Sequence, residues 1–333
     1  MTLTSFSQMV LPSLEADIQK VVATSTIGND QSLTDILAYH FGWNIKGSQP
    51  GKRIRPLLLL LATESCGESW QEAIPAASAI ELLHNFSLIH DDIEDKSDTR
   101  RGRRTAWKEY TLPLALNAGD SMYSLAYISM ERLSQFKSEE TTLQSLRIFS
   151  QTCLNLTKGQ HLDISFEDQD QVSIAQYWQM IQGKTAALIA SCTQLGAVIA
   201  ESDPTTQEAY RQFGLNLGLA FQVHDDLLGI WGDPEVTGKS AASDILTRKK
   251  SLPILFGLEQ NQDFAALWRK EITPDNVKQL AATLREEGAF DYTQKQAALL
   301  TEKARNYFQE TGAQGEAAAV LEELMNLLIK RKH

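Results

Sequence analysis

Cysteine is scarce: Cys66, Cys153 and Cys192 are the only three in 333 residues. An odd number at such long spacings excludes a disulfide scaffold and a cysteine-based zinc module, and a reduced, cytoplasmic chain is expected. Positive charge is in deficit. Lys and Arg number 31 against 42 Asp and Glu, for a net charge of −11, so nucleic acid and anionic membranes are poor partners. Long apolar runs are missing as well. The most notable, Leu57 to Ala62, is far short of the roughly 20 residues that span a bilayer, so no membrane insertion is expected. The N-terminus also lacks the basic-then-apolar pattern of a signal peptide. Length alone would suit two domains, but no Gly/Ser-rich or Pro-rich linker divides the chain, and one domain over residues 1–333 is expected. Strictly alternating runs of Val, Ile and Thr are absent, so nothing asks for a sheet.

What remains is an ordinary globular composition, 43% hydrophobic and 22% charged, with apolar residues recurring at three and four positions. This periodicity predicts helices over 8–23, 31–42, 52–66, 71–96, 113–136, 140–164, 173–198, 205–230, 252–260, 274–287, 291–310 and 315–331. Loop signals fall at Asn29-Asp30, Gly47 to Gly51, Gly102, Asp203-Pro204 and Gly232 to Ser243. The 71–96 helix is apolar nearly all round, with Ile80, Leu83, Leu88 and Ile89, and so belongs at the centre of a bundle.

That helix ends in Asp91, Asp92 and Asp95, where the macrodipole is already negative and a positive partner is needed. Asp91 and Asp95 share a face, and Asp92 lies about 100° round. Carboxylates at this spacing can share hard divalent cations, because magnesium takes one or two from protein and completes its shell with water and phosphate. A solvated acidic helix end paired with Arg100 and Arg101 would look the same. A second apolar helix, 205–230, ends in Asp225 and Asp226. Two such ends suggest divalent ions holding a polyanion, most simply a diphosphate. Lys52 and Arg55 share a face at a helix start, where anions bind well. Lys184 sits within the apolar stretch Ile181 to Ile189 and looks buried; Lys239, Arg248, Lys249 and Lys250 follow the second acidic cluster. Gly232 to Ser240 imitates a P-loop, but five residues separate its glycines instead of four, and a helix precedes it. His84 and His90, six apart, do not have the spacing of a helical zinc site.

The stretches Gly51-Lys52-Arg53-Ile54-Arg55-Pro56, DDIEDKSDTRRG from Asp91, Gly159 to Asp163, Gly183-Lys184-Thr185, FQVHDDLLGIWGD from Phe221 and GKSAASDILTRKKSLP from Gly238 together resemble the trans-isoprenyl diphosphate synthases, the polyprenyl synthetase family. The resemblance implies an all-α helical bundle of the isoprenoid synthase type around a deep central cavity, usually as a homodimer. It implies Mg2+-dependent head-to-tail transfer between an allylic diphosphate (dimethylallyl, geranyl or farnesyl) and isopentenyl diphosphate. Carried over by motif, Asp91 and Asp95 bind two Mg2+ and Asp225 a third, with Asp92 and Asp226 supporting. Arg100, Lys184, Thr185, Phe221, Gln222, Lys239 and Lys249 face the allylic substrate; Lys52, Arg55, His84 and Arg101 face isopentenyl diphosphate. His84 precedes Asp91 by nearly two full turns, so both point the same way.

The pattern departs from the family at Gly229, where the second motif usually carries a third Asp. Asp233 is no simple substitute, since Gly232 and Pro234 suggest that the helix has ended. Asp225, Gly229 and Asp233 nevertheless have the spacing of a class I terpene cyclase motif, which makes a cyclase the rival reading. Lys52, Arg55 and Arg101 speak against it, because a cyclase needs no second anion site. A regulatory or scaffold subunit would be expected to have a damaged first motif, and this one is intact. Phe86 and Ser87, five and four residues before Asp91, resemble the chain-length positions of archaeal-type geranylgeranyl synthases, so a twenty-carbon product is expected and farnesyl is the alternative. On an ideal helix Phe86 lies about 140° round from Asp91. Met122 or Tyr123 could also form the floor.

Overall fold

The computed structural model describes residues 1–47, 51–233 and 242–329. Its helices are α1 (Leu3–Ala23), α2 (Ser32–Phe41), α3 (Ile54–Ser65), α4 (Ile74–Glu94), α5 (Ala106–Glu109), α6 (Leu112–Glu131), α7 (Glu139–Glu167), α8 (Ile174–Ile181), α9 (Ala187–Ile199), α10 (Pro204–Trp231), α11 (Ser243–Leu246), α12 (Leu252–Gln260), α13 (Asp263–Trp268), α14 (Val277–Glu286), α15 (Ala289–Glu310) and α16 (Gly315–Ile329). Two compact units are distinguishable. The first comprises Met1–Ser150, Gln194–Asp203 and Gln314–Leu321; the second comprises Gln151–Thr193, Pro204–Ala313 and Glu322–His333.

In the first unit α4 is the central helix, as its all-round apolarity requires. Pro75 sits in its first turn, where a missing N–H costs nothing. The stripe Phe6, Val10, Leu14 and Ile18 of α1, Leu57 to Leu61 of α3, and Ala115, Ala118 and Met122 of α6 are all buried in this unit's core. Burying each such leucine is worth roughly 1.5–3 kcal/mol. A Cβ on Gly119 of α6 would collide with the His90 ring of α4, so the glycine is what lets these helices close. Polar groups buried on α4 find partners: the Ser78 hydroxyl donates to Asp17 at 2.8 Å, and Arg132 pairs with the same Asp17 at 2.6 Å.

In the second unit α10 approaches α9 and the preceding turn through small residues. A Cβ on Gly218 would lie 2.7 Å from Ala186 Cα, and one on Gly214 2.8 Å from Ala190 Cα. The far end of α10 buries Ile230 with Ile245, Phe264, Leu280 and Leu284. Its middle buries Val223 with Phe166, Tyr177, Leu252 and Leu255.

Four expectations need correction. The 173–198 segment is not one helix, because Gln182–Ala186 forms a π turn between α8 and α9. The 71–96 helix begins as a 3-10 turn, Trp70–Ala73, and α4 ends at Glu94 with Asp95 as its cap. A two-stranded hairpin, β1 (Thr99–Arg100) and β2 (Arg103–Arg104), follows the first acidic cluster. With two residues per strand it offers no alternation to read. Its turn is legible in retrospect: Arg101 and Gly102 both have left-handed φ, 52° and 75°, as a two-residue type I′ loop requires. The expected 113–136 helix also divides, into α6 and a 3-10 turn over Arg132–Gln135.

Candidate active site

The hairpin answers why clustered carboxylates precede clustered arginines. Four arginines leave it in different directions. Arg100 turns back to α4, where its Nε lies 2.9 Å from both oxygens of buried Asp92. Burial raises the Asp92 pKa, and the Arg100 guanidinium opposes the rise. Arg103 donates to the carbonyls of Tyr39 at 2.7 Å and His40 at 2.5 Å, capping α2. Arg104 reaches the Lys108 carbonyl at 2.5 Å. Arg101 makes no hydrogen bond or ion pair among the described residues; it lines a cavity. The Thr105 hydroxyl and the Trp107 indole N–H both donate to the Ser97 carbonyl, at 2.8 and 2.9 Å, and hold this arrangement to the chain leaving α4.

That cavity, about 700 Å³, belongs to the first unit and is lined by Lys46, Lys52, Arg53, Arg55, His84 and Arg101, among others. Gly51 is required beside it, since a Cβ there would lie 2.9 Å from an Arg101 guanidinium nitrogen. Arg53 and Glu81 neutralise each other: Arg53 donates to Glu81 at 2.8 Å and to Glu15 at 2.6 Å. Arg55 lies 3.1 Å from His84 Nε2. Burial and then Arg55, Arg101 and Arg100 hold the His84 pKa well below the ordinary value. The ring is therefore neutral, accepts from Arg55 through Nε2, and presents its other N–H. The cavity thus offers Lys46, Lys52, Arg55 and Arg101 as cations, with its one carboxylate already matched. Arg53 and Lys46 were not singled out in the sequence. Arg53 shares its motif with Lys52 and Arg55, and only burial separates their roles.

At the end of α4, Asp91 is half-buried and Asp95 exposed, and the Asp95 N–H bonds to the Asp91 carbonyl at 2.8 Å. The helical course therefore persists through both, on one face as expected. Phe86 and Ser87 are half-buried. The Phe86 ring packs on His90 at 4.6 Å and on Tyr123 of α6 at 5.0 Å; Tyr123 in turn meets Tyr127 at 5.3 Å, and Tyr127 meets Phe149 at 5.1 Å.

The second unit holds a polar relay. The Thr185 hydroxyl donates to the Gln222 carbonyl oxygen at 2.8 Å, and the Gln222 amide donates to Asp226 at 3.0 Å. Asp226 also accepts from the Tyr177 hydroxyl at 2.6 Å and from the Leu252 N–H at 3.0 Å. Burial pushes its pKa up to about 6 despite Lys249. Tyr177 is buried in this relay and has no sequence motif to announce it. Asp225, one residue before Asp226, is half-buried, as is Phe221. Lys184 is half-buried, not the enclosed lysine expected, and pairs with Asp163 of α7. The π turn and two glycines bring them together: a Cβ on Gly183 would lie 2.7 Å from the Asn155 carbonyl and 2.9 Å from Gly159 Cα. Burial works against charge on Lys249, but Asp226, Asp244, Asp163 and Asp225 together raise its pKa. Asp233 is exposed beyond the end of α10, off the helical face of Asp225. Lys239 lies outside the described residues. Among those residues, no three His, Cys, Asp or Glu side chains gather closely enough to hold an ion alone, and no helix is long and apolar enough to cross a membrane.

Residues 35–285 match the family model described as polyprenyl synthetase. A geranylgeranyl diphosphate synthase of Mycobacterium tuberculosis is 35% identical over 86% of this chain and 84% of its own. A (2E,6E)-farnesyl diphosphate synthase of Mycobacterium bovis is 42% identical over 68% of this chain and 63% of its own. The crystal structure of a geranylgeranyl pyrophosphate synthetase from Pyrococcus horikoshii superposes with a TM-score of 0.89 at 29% identity, covering 99% of this chain and 98% of that one. The cyclase and scaffold readings fall with these matches. The chain belongs to the polyprenyl synthetase family: it is an all-α prenyltransferase, and its chemistry is prenyl chain elongation.

Proposed function

We propose that this prenyltransferase condenses an allylic diphosphate with isopentenyl diphosphate, and that its main product is geranylgeranyl diphosphate. The observation that carries the two-substrate reading is the cavity of the first unit, where Lys52, Arg55 and Arg101 converge beside a neutral His84 while Glu81 is matched by Arg53. Such a site suits a diphosphate held by cations alone. The allylic diphosphate is assigned to Asp91 and Asp95, and to Asp225, Lys184, Thr185, Gln222 and Lys249. Asp92 and Asp226 support them, the one by holding Arg100 and the other by anchoring Gln222.

The carboxylates fit Mg2+ chemically. Asp92 is engaged by Arg100, while Asp95 is exposed and Asp91 half-buried on the same helix end, and magnesium uses one or two protein carboxylates. Bound Mg2+, three per site by family likeness, supplies charge stabilisation to the departing diphosphate. Lys184 and Lys249 stabilise the same developing charge. Arg55 and Arg101 fix isopentenyl diphosphate, so its double bond meets the allylic cation with little entropy left to lose. The released diphosphate is the proton acceptor that ends the cycle.

For product length, the support is the contact of Phe86 with Tyr123, which backs the Phe86 ring with a second aromatic instead of free space. Chromatography of dephosphorylated products from isopentenyl diphosphate and each allylic primer is the test. EDTA should abolish turnover and Mg2+ restore it. Phe86→Ala should shift products beyond twenty carbons and Ser87→Phe toward fifteen. Fifteen-carbon product from the unaltered enzyme would make this a farnesyl synthase.

A further inference from the structure

The register of the hairpin sets Arg100 opposite Arg103, and Thr99 opposite Arg104. Directly opposed residues of an antiparallel pair share a face, and like charges there repel. The pair is tolerated because each guanidinium has its own anchor. Arg100 is held by Asp92 of α4. Arg103 forks onto the last turn of α2, with Nη1 donating to the Tyr39 carbonyl and Nη2 to the His40 carbonyl. Orphan carbonyls and the negative end of the macrodipole favour a cation there. The grip is returned: the Tyr39 hydroxyl donates to the Arg104 carbonyl at 2.9 Å, and the Arg103 guanidinium lies 5.5 Å from the centre of the Tyr39 ring. The α2 turn is itself fixed to α4, because the His40 ring donates to Asn85, whose amide nitrogen is committed to Glu81. Arg101 stands between the two anchors, at the exposed tip of the loop. No hydrogen bond or ion pair among the described residues holds the far end of its side chain, so its place beside Gly51 is set from the backbone end.

We propose that Arg103 is a positioning residue for isopentenyl diphosphate: by clamping β2 to α2 it fixes the loop from which Arg101 enters the cavity, and it gives no bond of its own to the ligand. Arg103 borders the same cavity, but both its terminal nitrogens are spent on carbonyls. Its planar fork is what the clamp uses; a lysine, a single point charge, could not span two carbonyls in the same way. Ordering a free arginine side chain costs entropy, and a loop held on both sides lowers that cost before the ligand arrives. Arg100 keeps its anchor on Asp92 when Arg103 is changed, so the allylic substrate is spared. The inference rests on the reading of Arg101 as an isopentenyl-diphosphate contact.

The test is steady-state kinetics with each substrate varied in turn. Arg103→Met should raise the KM for isopentenyl diphosphate roughly 10-fold and move the allylic KM by less than about 2-fold. Arg103→Lys keeps the charge without the fork and should be nearly as poor. Tyr39→Phe removes only the returning bond, from outside the cavity, and should raise the same KM about 3-fold; it carries the test if Arg103→Met does not fold. Combined with Arg101→Ala, either change should add little, because both act through that one side chain. Three results overturn the proposal. Effects that multiply in the double variants would mean that Arg103 contacts the ligand directly. Full activity in Arg103→Lys would mean that only its charge matters, and equal losses for both substrates would make it a structural cap. Arg101→Ala separates the two levels. If it leaves the KM for isopentenyl diphosphate unchanged, the assignment of the cavity itself is wrong; if it raises that KM while Arg103→Met and Tyr39→Phe do not, only the role given to Arg103 is wrong.

Discussion

Arg53 and Arg55 stand two residues apart and do different work. Arg53 is buried between Glu15 and Glu81, over the Phe41 ring at 5.3 Å. Removing it strands a buried carboxylate, so Arg53→Ala should destabilise the fold by about 3–5 kcal/mol, seen as a lower urea midpoint. Arg55 faces the cavity. Arg55→Ala should raise the KM for isopentenyl diphosphate by about 10-fold or more and barely change the allylic KM; equal effects on both would make it structural. Lys46 lines the same cavity but is exposed. Its contribution is long-range and screened by salt, so Lys46→Ala should slow capture of isopentenyl diphosphate a few-fold at low salt and hardly at all at high salt. At this scale much was legible. Helical spacing alone aligned His84 with Asp91, both on α4; the expected shared helix face of Lys52 and Arg55 does not form, because α3 begins at Ile54 with left-handed Arg53 as its cap, and Lys52 reaches the cavity from the incoming loop. The ranking of Arg100, Arg101, Arg103 and Arg104 was not legible, because hairpin register decides which one meets Asp92, a carbonyl or the cavity.

Among the elements, the π turn at Gln182–Ala186 shows how backbone contact sets a side chain. Ile181 to Ile189 reads as one apolar helix, and Gly183 is a weak local cue to a break. The break comes from Gly159 of α7, which lies against Gly183 and Lys184. π turns of this kind recur at functional sites, and here one aims Lys184 at Asp163. Gly159→Ala should therefore displace the backbone of the turn. The expected cost is about 1–3 kcal/mol of stability, with a larger fractional loss in affinity for the allylic diphosphate than for isopentenyl diphosphate. Binding titrations with each of the two diphosphates and thermal melting measured on the same sample would check both; full allylic affinity in a destabilised protein would dissociate the turn from Lys184. The α4 end illustrates the opposite case. Its apolar surface and its acidic terminus were both visible in the sequence, and α4 is central to the first unit as that surface requires.

For the whole molecule, acid is the informative stress. Free histidine takes up its proton near 6.5, but burial, aided by Arg100, Arg101 and Arg103, keeps the His40 pKa down to about 3. Its Nε2 donates to Asn85 Oδ1 at 3.2 Å, and Asn85 is itself fixed by Glu81 at 2.8 Å. Between those pH values the unfolded chain binds a proton that the folded chain refuses. Stability from this group is thus complete above about 6.5, falls as pH drops, and levels off near 3, a span worth roughly 4–5 kcal/mol. His84 acts in the same direction. Urea midpoints should fall from pH 7 to 5, and His40→Asn should flatten that fall; an unaltered slope would assign it to other groups.

Apolar periodicity and two Asp-Asp helix ends, with cations spaced along the chain, were sufficient by themselves to specify the helical class and the diphosphate chemistry, because period and charge are properties of neighbours in sequence. The partners of those groups were decided only in three dimensions. Asp244 against Gly229, Tyr177 on Asp226, Asp163 beside Lys184 and Tyr123 behind Phe86 join residues on different helices. No local pattern carries such pairs, since close packing, not spacing along the chain, selects which side chains share a buried volume.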